Sequence, residues 1–192
     1  MNVILASQSP RRKELMGLFR IPFTVRVADI DETMDPAKPV YDEVARVSRA
    51  KAEATPHEPG DVVIAADTVV VCNGQALGKP TDEQDACRML RLLSGRDHQV
   101  MTGMCVLYNG TATTCTEVTD IHFRELSDRE ILAYVRTGEP MDKAGSYGIQ
   151  NEFGRKYIKE IKGDYYNVMG LPVCRLGNIL RQIVPELLEE TL

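Results

Sequence analysis

One stretch constrains this chain more than any other. Val62-Val-Ile-Ala-Ala-Asp-Thr-Val-Val-Val-Cys72 is the most apolar run in the sequence, yet it carries a carboxylate in its middle. A run of this kind, closed by the tight-turn pair Asn73-Gly74, reads as a buried central strand. Burying an unpaired carboxylate is expensive, so Asp67 must be paired, protonated or bound to a metal. Two readings are open. Asp67 is either a hydrogen-bonded residue at a strand end, or a general base or metal ligand where a central strand faces a ligand cleft.

Around this run, strand-like and helical patterns alternate. Val3 to Ala6 is a short apolar strand. Ser9 follows as a helix cap, with Pro10 in the first turn, and Leu15, Leu18 and Phe19 recur at helical spacing. Phe23 to Val27 alternates like a half-buried strand and leads into Asp29-Ile-Asp-Glu32. Beyond Pro36 and Pro39, Val40, Val44 and Val47 mark one face of a helix reaching about Ala54. A helix from about Asp82 to Leu93 comes next, and His98 to Tyr108 pairs with Thr111 to Phe123 across Asn109-Gly110. Ser127 with Glu130 predicts a capping box on a helix to about Arg136. The Gly-rich segment Lys143 to Gln150 precedes a strand near Lys156 to Ile161, and a final helix runs from near Pro172 to Leu188. The pattern predicts one mixed α/β unit, in two lobes around a cleft.

Composition excludes several classes. The 192 residues include 43% hydrophobic and 27% charged residues, values of a globular chain that rule out wholesale disorder. No run approaches the roughly 18 apolar residues that span a bilayer. Met1 to Ser7 lacks a basic region, and its apolar stretch is too short for a signal peptide, so the expected location is the cytoplasm. The net charge of −5 argues against an extended nucleic-acid-binding surface. Five cysteines without a CxxC pair read as free thiols, and three histidines without HxxxH spacing give no structural zinc site.

Three further elements carry candidate chemistry. In Ser7-Gln-Ser-Pro-Arg11-Arg12 a strand turns into a helix whose first turn holds two arginines. Free amides there attract anions, whereas cations oppose the helix dipole unless an anion joins them. Arg11 and Arg12 are therefore phosphate forks or solvated arginines. Lys51 lies near the apolar face of the Val40–Ala54 helix, as a functional cation or a snorkelling lysine. Lys79 sits in the constrained loop Leu77-Gly-Lys-Pro80, and Glu32 closes an acidic loop. Together these residues offer carboxylates for a hard cation and four cationic side chains for phosphates, the equipment of metal-assisted phosphoryl chemistry.

These residues stand in ordered blocks: Leu5-Ala-Ser-Gln-Ser-Pro-Arg-Arg12, Asp31-Glu32, Val44-Ala-Arg-Val-Ser-Arg-Ala-Lys51-Ala, Ala66-Asp-Thr-Val-Val70 and Leu77-Gly-Lys-Pro80. Leu93-Ser-Gly, His98-Gln-Val, Thr102-Gly, Thr137 to Gln150 and Gly163 to Pro172 continue the series. Over nearly its whole length the chain thereby resembles the Maf family of nucleoside triphosphate pyrophosphatases, with residues 1–192 as a single domain. The resemblance implies an α/β fold like that of inosine-triphosphate pyrophosphatases: an elongated mixed β-sheet with flanking helices, a cleft between two lobes, and a homodimer. It implies hydrolysis of a nucleoside triphosphate to the monophosphate and pyrophosphate, with Mg²⁺ or Mn²⁺ as cofactor. By the same resemblance Asp67 is the general base, and Asp67 and Glu32 hold the metal. Arg12, Lys51 and Lys79 complete the catalytic set, while Ser7, Arg11, Thr68 and Gln150 bind substrate.

Ala66-Asp67-Thr68 and Tyr147-Gly-Ile-Gln150 resemble the subfamily acting on dTTP and UTP. The branch acting on 7-methyl-GTP has Ser-Asp-Gln at the first of these places. The resemblance also brings rival expectations: a preference for modified pyrimidine nucleotides, or a regulator of septum formation that acts by binding. One departure stands out. Where the dTTP/UTP type has glycines after the Gln, this chain has Asn151-Glu-Phe-Gly154. Asn tolerates left-handed backbone, so a turn is expected to survive there, with Glu152 and Phe153 altering the pocket mouth.

Overall fold

The computed structural model describes residues 1–189. Seven strands form one sheet: β1 (Val3–Leu5), β2 (Phe23–Val25), β3 (Val62–Cys72), β4 (Gln75–Leu77), β5 (Asp97–Tyr108), β6 (Thr111–Phe123) and β7 (Ile158–Lys162). Their order is β2-β1-β3-β5-β6-β7, with β4 paired to β3. β1 runs parallel to both β2 and β3, and Val3, Ile4 and Leu5 lie opposite Val62, Val63 and Ile64. β4 and β7 are antiparallel to β3 and β6. The sheet is therefore mixed, and the apolar run of β3 is an interior strand, as its composition requires.

The chain divides into two compact units, and the boundary falls inside β3, between Asp67 and Thr68. The first unit comprises, among the described residues, 1–67, 102–117 and 170–189. In it α1 (Pro10–Gly17) follows β1, α2 (Val40–Ala54) follows β2, and α7 (Val173–Ile183) closes the chain together with α8 (Glu186–Glu189). Ile4, Ala6, Val63, Ala65, Cys105 and Leu107 pack with Ala52 of α2. Contact between α2 and β5 is close: a side chain on Gly103 would overlap the Val44 carbonyl. The predicted last helix divides in two, because Pro185 cannot donate the hydrogen bond that would continue it.

The second unit comprises residues 68–101 and 118–169. It holds α3 (Glu83–Leu93), α4 (Asp128–Val135), α5 (Glu152–Tyr157) and α6 (Tyr165–Met169). Its core gathers Val70, Leu77, Leu90, Leu93, Val100, Ile121, Phe123 and Ile131 with Tyr147 and Phe153. Ser127 and Glu130 form the expected capping box on α4, and Asp82 caps α3 through the Asp85 amide at 2.8 Å. Both Asn-Gly pairs turn with positive φ (Asn73 52°, Gly74 75°; Asn109 48°, Gly110 74°), the two-residue hairpin geometry that suits this dipeptide.

Segment 151–154 differs from expectation. Asn151 is extended (φ −83°, ψ 177°) and caps α5 by accepting a hydrogen bond from the Gly154 amide at 3.0 Å. The left-handed turn is replaced by a helix start, where Asn is equally at home. Phe153 is buried, stacked on Tyr134 with ring centroids 3.8 Å apart. All five cysteines are free, with Cys72, Cys87 and Cys105 buried. Burial pushes the Cys105 thiol up to about 12, so this residue packs as an apolar side chain.

Candidate functional site

The first unit holds six of the nine candidate site residues, Ser7, Arg11, Arg12, Glu32, Lys51 and Asp67, and gathers them around the carboxyl end of β1 and the middle of the neighbouring parallel strand β3. β1 ends at Leu5, and the Ala6 amide still donates to the Ile64 carbonyl at 2.8 Å. Ser7 therefore emerges beside the part of β3 that leads to Asp67. In open α/β sheets, the region beyond the carboxyl ends of parallel strands is the usual place for ligands.

Ser7 is buried, and its hydroxyl accepts from the Ser9 amide at 3.3 Å and from Arg12 Nη1 at 3.2 Å. Ser9 caps α1 through the Arg12 amide. Arg12 is half-buried, and its Nε donates to the Gly170 carbonyl at 2.7 Å. Desolvation draws the Arg12 guanidinium below its ordinary pKa, an effect opposed by the charges of Asp67 and Glu32 and reinforced by neighbouring Arg11. Arg12 is thus a fixed, desolvated fork and not a solvated arginine. Arg11 is half-buried beside it.

Lys51 occupies the last turn of α2. Its ammonium donates to Asp67 Oδ1 at 2.7 Å and lies 2.8 Å from Glu32 Oε2. The Lys51 and Asp67 side chains are only 14% and 13% exposed, so the lysine is held between carboxylates and does not snorkel to water. Glu32 reaches in from the loop between β2 and α2 and is itself 56% exposed. The strand carboxylate is accordingly paired, as its burial demands.

Two carboxylate oxygens gathered on one cationic atom also have the chemistry of a hard-cation site: both donors are oxygens, and both already approach a positive charge. Among the described residues no group of three or more His, Cys, Asp or Glu side chains is arranged to hold a metal ion. A divalent ion here would take its remaining ligands from phosphate oxygens and water, the usual habit of Mg²⁺. Against Asp67 and Glu32 stand Lys51, Arg11 and Arg12, which leaves the group with a positive excess suited to a polyanion.

The remaining predicted residues belong to the second unit. Thr68 is half-buried and directly follows Asp67, while Lys79 is exposed in the loop between β4 and α3. Gln150 is half-buried, and its buried Oε1 receives no hydrogen bond from the described residues. An unsatisfied buried acceptor is uncommon and suits a site that receives a donor from a ligand. No motif in the sequence points to the Gly170 carbonyl that anchors Arg12. The Glu43–Arg46 pair behind the Glu32 loop also went unread, although their three-residue spacing on a helix was the available signal.

Residues 2–183 match the family described as Maf-like protein. Similar curated proteins include the dTTP/UTP pyrophosphatase of Anaeromyxobacter dehalogenans, 48% identical over 184 residues, covering 94% of this chain and 93% of the relative. That of Halalkalibacterium halodurans is 49% identical over 181 residues, covering 93% and 94%. That of Thermococcus onnurineus is 47% identical over 172 residues, covering 89% and 92%. Among solved structures, a HAM1 protein from Coxiella burnetii aligns with a TM-score of 0.53 at 15% identity, over 95% of this chain and 99% of that one. This last likeness shows a shared fold alone.

Proposed function

The chain belongs to the Maf family, and from that premise we propose that it hydrolyses dTTP and UTP to the nucleoside monophosphate and pyrophosphate. One observation carries the reading: Lys51 Nζ held at 2.7 Å from Asp67 Oδ1 and at 2.8 Å from Glu32 Oε2, beside the anchored guanidinium of Arg12. This is a polar, charged cluster set against the middle of an apolar strand, which a purely structural core would not need.

In this reading Asp67 is the general base. It takes a proton from the attacking water as the water oxygen bonds to the α-phosphorus, and the bridging P–O bond breaks so that pyrophosphate leaves with the electron pair. Lys51 holds Asp67 in place through its 2.7 Å hydrogen bond. A Mg²⁺ or Mn²⁺ ion held by Asp67 and Glu32 would withdraw charge from the phosphate oxygens and acidify water. Arg12, fixed by Ser7 and the Gly170 carbonyl, presents a preorganised fork to the triphosphate, and Arg11 adds charge beside it. Thr68, Lys79 and Gln150 enter on the family resemblance: Lys79 as a further phosphate cation, Thr68 and Gln150 with Arg11 as residues that select the base. The unsatisfied Gln150 Oε1 supports that role, since the ring N–H of thymine or uracil is a donor of the right kind.

The test is a substrate panel with Mg²⁺ that includes dTTP, UTP, CTP, modified pyrimidine nucleotides, 7-methyl-GTP and the purine triphosphates. Pyrophosphate release from dTTP and UTP should dominate. Equal turnover of all substrates, or a clear preference for 7-methyl-GTP, would contradict the proposed specificity.

A further inference from the structure

Glu32 is more than half exposed, so the backbone that carries it decides where its carboxylate can reach. That backbone is tied to α2 by two residues outside the cluster described above. Glu43 lies in the first turn of α2, only 2% exposed, and its Oε2 accepts the Asp35 amide at 2.8 Å. Arg46, one turn later, donates from Nε to both Glu43 oxygens at 3.0 Å. Its Nη2 donates to Glu43 Oε2 at 2.9 Å and to the Thr33 carbonyl at 2.8 Å. Within the loop, Asp31 Oδ1 accepts the Thr33 amide at 2.9 Å. Three hydrogen bonds thus fix the chain at Thr33 and Asp35, directly after Glu32. The same helix delivers Lys51 from its other end. One rigid element therefore sets both partners of the Glu32–Lys51 pair.

We propose that Glu43 and Arg46 are positioning residues, which hold the 31–35 loop so that Glu32 stays against Lys51 and Asp67. Neither touches the reacting atoms. A buried carboxylate engaged by a guanidinium fork is a costly way to shape a surface loop, and the ordering of Glu32 accounts for it. The proposal rests on the reading that Glu32 helps to hold the divalent ion.

Glu43→Gln weakens the fork, and Arg46→Lys keeps the charge but loses the planar geometry that bonds Glu43 and Thr33 together. Arg49→Gln, on the same helix and in an exposed ion pair with Glu53, serves as the control. Two readouts are taken: amide hydrogen exchange in peptides covering residues 29–37 of the protein alone, and the Mg²⁺ concentration that gives half-maximal dTTP hydrolysis. In both positioning variants exchange should rise in that loop and not in the core of α2. The half-activating Mg²⁺ concentration should rise about tenfold, with kcat at saturating Mg²⁺ little changed. Arg49→Gln should alter neither readout. Faster loop exchange with an unchanged Mg²⁺ requirement, or no change in either, would overturn the proposal. Glu32→Gln separates the two layers. If it leaves the Mg²⁺ requirement unaltered, the metal role of Glu32 falls and the positioning role falls with it. If it raises the requirement while Glu43→Gln and Arg46→Lys do not, only the positioning role fails.

Discussion

Asp67 and Lys51 form a pair whose two members fail differently when replaced. Asp67→Asn keeps an oxygen that can accept from Lys51 and leaves Glu32 as a charged partner, so the protein should fold with its melting temperature little changed. Its kcat for dTTP should fall by about 10²–10⁴-fold, the contribution expected of a general base. Lys51→Met leaves two carboxylates facing each other without their cation, in a place where Asp67 is only 13% exposed. That variant should lose activity and also about 3 kcal/mol of stability, measured by urea denaturation. Equal stability losses in the two variants would contradict this assignment of roles. The sequence made Asp67 conspicuous, because a carboxylate inside an apolar run always needs an explanation. It left Lys51 open between a functional and a snorkelling residue, since one helix position says nothing about which carboxylates stand opposite. Arg12 was ambiguous for the same reason: its partners, Ser7 and the Gly170 carbonyl, are 5 and 158 residues away.

The elements that carry these residues are held by contacts of differing reach. Gly103 of β5 lies against the backbone of α2 at Val44, one of the approaches that fix the helix delivering Lys51. Gly103→Ala must push the helix away and should cost about 1–3 kcal/mol, read as a lowered denaturation midpoint. A stability within experimental error of the parent would show that α2 has room to shift. Local signals were enough to locate α2, α3 and α4, because apolar spacing lies within each helix and the Ser127 cap lies at the start of α4. They were not enough for α5 and α6, which have six and five residues and too few positions for a period to show. Asn151 suits a turn as well as a helix cap, and only the burial of Phe153 among Tyr134 and Phe123 decides between them. The break between α7 and α8 is the reverse case: Pro185 stands inside the expected helix from near Pro172 to Leu188, and α7 ends before it.

At the scale of the molecule, acidity and sheet topology each shape behaviour that no single element shows. His98 is 3% exposed, bonded to the Tyr147 hydroxyl at 2.7 Å and edge-on to Phe123; burial lowers its pKa to about 4. The native protein therefore keeps His98 neutral, while the unfolded chain takes up a proton below the ordinary histidine value of about 6.5. Stability from this source is complete above about pH 6.5, declines as pH falls towards about 4, and does not decline further below that. The loss across the window should be on the order of 3 kcal/mol, and His98→Gln should flatten it. The overall charge of −5 belongs to the chain as a whole, whereas Arg11, Arg12 and Lys51 gather near two carboxylates, one of them Asp67 in the middle of β3, so a net-acidic protein is locally suited to a triphosphate. Hydrolysis of dTTP in ¹⁸O-labelled water tests the proposed reaction most directly, because the label reports which phosphorus the water attacks. The expected result is one ¹⁸O in dTMP and unlabelled pyrophosphate. Label in the pyrophosphate, or dTDP and orthophosphate as products, would contradict attack at the α-phosphorus.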